Sequence, residues 1–101
     1  MFRAGYHVVP RTTNPSHGHV GWAIAEVFVD QRDVAEVDTT ARQLINRHGW
    51  DITDVLFMEE ARLEEWEGNL PALAVIKQAL SEGAAVRYLE VPVGGHRHGA
   101  A

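Results

Sequence analysis

The chain contains no cysteine. Disulfides, thiolate zinc sites and cysteine nucleophiles are thereby excluded, and stability has to come from packing. Lysine is nearly missing as well: Lys77 is the only one, and arginine supplies the rest of the nine basic residues against fourteen acidic ones. The resulting net charge of -5 argues against a phosphate-backbone binder, which draws most of its non-specific affinity from basic patches, so nucleic acid is not an expected partner. The arginine bias, together with abundant alanine and valine, points to a GC-rich bacterial source. No apolar run approaches the ~20 residues that cross a bilayer, and the opening MFRAGYHVVPRT lacks the apolar stretch of a signal peptide. No membrane partner is expected, and the expected compartment is the cytoplasm. Nor is there a G-x-S-x-G elbow around Ser16 or Ser81, a phosphate-cradling glycine loop or an EF-hand pattern. At 101 residues the chain is expected to make one domain that buries roughly 65% of its unfolded surface.

What is present is clearest between Asp30 and Asp54. Asp30 offers an N-cap oxygen, with Asp33 adding a carboxylate near the positive end of the helix dipole. Val34, Val37, Ala41, Leu44 and Ile45 then recur at helical spacing. The helix stops at Arg47-His48-Gly49-Trp50, where Gly49 suits a left-handed position and Trp50 can fold back onto Ile45. Before this helix, WAIAEVFV over 22–29 reads as a strand apolar on both faces, with Trp22, Ile24 and Phe28 on one and Ala23, Ala25, Val27 and Val29 on the other; such strands are central. Tyr6 to Val9 adds a short edge strand, followed by a loop over 10–21 rich in breakers.

After the helix, Ile52 to Met58 forms a strand. Asn69 is a helix cap with Pro71 in the first turn, and Leu70, Leu73, Ile76, Ala79 and Leu80 make a second stripe ending at Gly83. The last strand is Ala85 to Val93, with Pro92 marking an edge or a terminus. The expected fold is α+β: about four strands with two helices on one face, in the order β-β-α-β-α-β, ferredoxin-like or a related two-layer sandwich. This single domain spans 1–93, and a flexible glycine and histidine tail follows at 94–101.

Glu26 is the sharpest single residue, because a carboxylate between apolar neighbours on a central strand is costly to bury. It faces solvent, pairs with an arginine such as Arg87, or lines a cleft where it could serve as a catalytic acid or base. His17 and His19 before the central strand, and His96 and His98 in the tail, could converge into a Zn-type site if the last strand lies antiparallel beside the central one. Glycine-flanked histidines without an orienting partner are more often solvated, so no cofactor is expected. Residues 59–67 carry five carboxylates, a solvated face in which Trp66 is either a lid over the core or part of an interface.

With two helices on one face, the other face of the 22–29 strand needs a second subunit, and Val27 and Trp66 are the interface candidates. The expected function is a homo-oligomeric ligand-binding or regulatory module without catalysis. The alternatives are a small cofactor-free or metal-dependent enzyme using Glu26 or a histidine as acid or base, and a protein-interaction partner such as an adaptor or inhibitor.

Overall fold

Alternation of apolar residues along the first 29 positions drives an antiparallel hairpin, β1 (Phe2–Pro10) and β2 (Val20–Val29), in the computed structural model, which describes residues 1–93. Helix α1 (Val34–Arg47) leads to β3 (Trp50–Glu60). A 3-10 turn (Leu63–Trp66) precedes helix α2 (Leu70–Glu82), and β4 (Ala84–Pro92) is the last element of the described residues. The four strands form one sheet in the order β3-β1-β2-β4, with every neighbouring pair antiparallel. The fold is α+β with a four-stranded sheet and two helices, as the sequence suggests, but the 3-10 turn is an added element. The expected tail at 94–101, with His96 and His98, lies outside the described residues.

The helices do not share a face. Ala4, Tyr6, Val8, Ala23, Ala25, Val27 and Val29 pack with Val37, Ala41 and Ile45 of α1. Phe28, between Val27 and Val29 in sequence, points the other way and packs with Ile76 and Ala79 of α2 and with Ala85. Strand side chains alternate, so these two sets lie on opposite sides of the sheet. The expectation of two helices on one face is therefore corrected, and the ferredoxin-like two-layer sandwich is not met in that respect. The reason is visible in β2: small alanines at 23 and 25 admit α1 closely, while Phe28 projects from the other face as a knob for α2.

Local signals hold with two adjustments. The α1 cap is Asp33, whose side chain accepts from the Ala35 amide at 2.9 Å. Asp30 instead donates its backbone N–H to Gly83 O at 2.9 Å, tying the end of β2 to the α2–β4 turn. Gly49 has φ +86 and Asn69 accepts from the Ala72 amide at 3.1 Å. The buried stripe of α2 is Ala72, Ile76 and Ala79, whereas Leu70 and Leu80 are 75% and 52% exposed. Only one end of the sheet lies beneath α2, which meets β2 and β4 alone among the strands.

Candidate functional site

The strand registers lay out the α2 side of the sheet as successive rows. Arg3, Phe28 and Ala85 are aligned across β1, β2 and β4, as are Gly5, Glu26 and Arg87 in the next row and His7, Ile24 and Leu89 in the third. Trp22 and Val91 pair beyond them. The first row is under α2 and Trp66, which meets Phe28 edge-on at 5.6 Å between ring centroids. The outer rows carry no helix, and Leu89 is 53% exposed.

Glu26 occupies the boundary. It is only 3% exposed, and each of its oxygens accepts a guanidinium hydrogen bond: Oε2 from Arg3 Nε at 2.5 Å and Oε1 from Arg87 Nε. Of its three readings, the pairing with Arg87 is the one the geometry shows, and Arg3 is a second partner that the sequence reading missed. Arg3 also donates from Nη1 to Glu59 Oε1 at 2.6 Å. Its guanidinium stacks 4.2 Å above the Phe57 ring centroid and 5.1 Å from that of Trp66. Phe57 can approach only because its cross-strand neighbour is Gly5, where an added Cβ would come within 2.1 Å of the ring. The signal for Arg3 was in the sequence: extending β1 back to Phe2 puts Ala4, Tyr6 and Val8 on one face and Arg3, Gly5 and His7 on the other.

In the outer rows, His7 stacks on Trp22 at 4.8 Å, and its Nδ1 lies 2.5 Å from Thr53 Oγ1. On the α1 side, Tyr6 donates its hydroxyl to Asp38 Oδ1 at 2.8 Å, and Asp38 also pairs with Arg42. Burial first, and then the Asp38 carboxylate, push the Tyr6 hydroxyl well above the ordinary tyrosine range. Burial does the same to Tyr88, which stacks on Trp50 and lies 2.8 Å from His48 Nδ1.

The remaining candidates are separate. Val27 has no exposure and belongs to the α1-side core, so it presents no surface to a partner. Trp66 is half-buried as a lid on the α2-side core. His17 and His19 are exposed in the 10–21 loop. β4 does arrive beside them, Val93 donating to His19 O at 3.0 Å. Among the described residues no group of three or more His, Asp or Glu side chains is disposed to hold a metal ion. A hollow of about 600 Å³ is lined by Glu60, Arg62, Glu64 and Glu65. All four are exposed, so it is a solvated acidic rim without a buried polar group.

No helix among the described residues is long and apolar enough to cross a membrane. Compared with protein-family models, with curated proteins and with solved structures, the chain matches none, and its function has to be argued from this geometry.

Proposed function

We propose that the protein is a homodimeric binding or regulatory module whose copies pair through the uncovered outer rows of the sheet. One observation carries this reading: on the α2 side the helix stops at the Glu26 row, and beyond it Leu89 is 53% exposed beside the half-buried Trp22, Ile24 and Val91, with no helix over them. A contiguous apolar surface on a small protein marks an interaction site. Charge favours a second copy at this place. Two chains of net charge -5 repel, yet beside these rows Arg3 and Arg87 offset Glu26 and Glu59, so the like-charge penalty there is reduced. A two-fold axis makes such contact self-complementary.

The reading needs no cofactor and no catalytic step. Glu26 is poorly placed as an acid or base, because both of its oxygens are engaged by guanidinium groups. Mass measured by light scattering on a size-exclusion column at low micromolar concentration tests the pairing. The wild type should be a dimer, and Leu89→Glu a monomer with unchanged far-ultraviolet circular dichroism. A monomeric wild type refutes it.

A further inference from the structure

We propose that His7 makes the pairing of two copies sensitive to pH: the dimer holds while this imidazole is neutral and comes apart as it takes up a proton. The switch rests on the pairing through the outer rows, of which it is the regulation.

His7 lies in the third row with Ile24 and Leu89, on the face where the copies meet. Its ring is half-buried and stacked on Trp22, with 4.8 Å between centroids and 20° between planes. Thr53 sets the tautomer. The Thr53 hydroxyl donates to His7 O at 3.1 Å, so its one proton is committed, and its oxygen accepts from Nδ1–H at 2.5 Å. The neutral ring therefore carries its proton on Nδ1, and a second proton can be added only at Nε2. No buried side-chain nitrogen or oxygen among the described residues lacks a hydrogen-bond partner, so Nε2, which has none, reaches water.

In a single copy that added charge is tolerated. The Trp22 ring attracts a cation, and the exposed Asp54 stands opposite His7 on β3. Glu26, in the adjoining row of β2, is held by Arg3 and Arg87. Helix α1 lies on the other face, and among the strands α2 meets only β2 and β4. When a second copy closes over Trp22, Ile24, Leu89 and Val91, Nε2 exchanges water for apolar neighbours. A covered lone pair costs much less than an uncompensated charge, so the paired state excludes the proton. Histidine is the side chain that ordinarily changes charge between about pH 5 and 8, which puts the switch near neutrality. Each excluded proton weakens association by up to about tenfold per pH unit, and a pair of copies excludes two.

The direction of the effect separates His7 from bulk charge. With fourteen acidic residues against nine basic ones, acidification brings the net charge of -5 towards zero. That alone would ease repulsion and tighten pairing. His7 imposes the reverse.

Sedimentation equilibrium at about pH 8 and about pH 5.5, both above the ordinary carboxylate range, reads the dissociation constant. The wild type should pair at the higher pH and about a hundredfold more weakly at the lower. His7→Gln keeps an N–H for Thr53 but cannot become charged, and it should pair equally well at both. Should that variant fail to fold, histidine ring signals in NMR spectra of the wild type supply a second test. Because linkage is reciprocal, the pH at which His7 takes up its proton should fall as protein concentration is raised through the dissociation constant. The switch is overturned if the wild type pairs as tightly or more tightly in acid, if His7→Gln loses pairing as the wild type does, or if the His7 titration ignores concentration. A dimer indifferent to acid refutes the switch alone, whereas a chain that is monomeric at the higher pH refutes the pairing and the switch with it.

Discussion

Removing Arg87 should cost more than its partial exposure suggests, because the damage falls on Glu26. In Arg87→Met the apolar stem is kept and one charge-assisted hydrogen bond is lost. Oε1 of a carboxylate that is 3% exposed is then left without a partner. Hydrogen bonds to charged groups contribute about 1.5 to 3 kcal/mol, and a buried acceptor left unmade costs towards the top of that range. Arg3 still holds Oε2, so the loss should be about 3 kcal/mol and short of the upper range for a fully stranded buried charge. Glu26→Gln should cost less, about 1 to 3 kcal/mol, because the two stranded guanidiniums reach water and Arg3 keeps Glu59. Adding Glu26→Leu to Arg87→Met should recover part of the loss, since replacing buried ions with packed apolar groups is often neutral. Urea unfolding followed by tryptophan fluorescence reads this directly, with Arg87→Met lowering the midpoint by about 2 M for a denaturant slope near the low end for small proteins. An Arg87→Met variant within about 0.5 kcal/mol of wild type, or a double variant less stable than Arg87→Met, would refute the reasoning.

Gly5→Ala should destabilise by about 1 to 3 kcal/mol through overpacking, since its methyl group enters the space of the Phe57 ring on which Arg3 rests. Calorimetric melting checks this, and an unchanged melting temperature would mean that the ring has room to move. At Gly49, with φ +86, substitution by valine should cost about 1 to 2 kcal/mol from the left-handed backbone alone, measured by denaturant titration. Both tyrosine hydroxyls have pKa values raised in the folded state, so the native protein should show little phenolate absorbance just above pH 10 while the urea-unfolded chain titrates normally. Because the folded chain holds these protons more tightly, the contribution to stability is complete below the unfolded tyrosine value of about 10 and declines as pH rises above it. Alkaline unfolding that sets in well below pH 10 would contradict that sign.

Features decided within a few residues were legible in the sequence. The end of α1 at Gly49, the Asn69 cap and the two-faced burial of β2 follow from local backbone chemistry and period-two alternation. The side on which each helix lands was not legible, because the stripes of α1 and α2 fit either face. Phe28 settles it only once α2 is known to pack on it. The leucines of α2 misled for a related reason: contact is with a narrow patch, so the small Ala72 and Ala79 face the sheet and Leu70 and Leu80 do not. At the site, the Glu26–Arg87 pair could be anticipated from two adjacent strands, but Arg3 required β1 to begin at Phe2. The irregular register of β3, shifted between Gly5 and Tyr6 and again between His7 and Val8, left no sequence mark that we can identify.

β2 belongs to both cores and is hydrogen-bonded on both sides, yet its two neighbours come from very different distances along the chain. β1 joins it through a hairpin, whereas the Arg87 that reaches Glu26 is 61 residues downstream. During synthesis the apolar β2 therefore waits with one edge unpaired until β4 has emerged, its Arg87 being 61 residues after Glu26. Pairings this remote slow folding and lengthen the time in which an open strand edge can recruit another chain. A chain stopped before Ala84 would keep β1, β2 and β3 but leave that edge bare and lack the second arginine, so the nine residues of β4 act as a folding seal: without them the central strand becomes a template for aggregation.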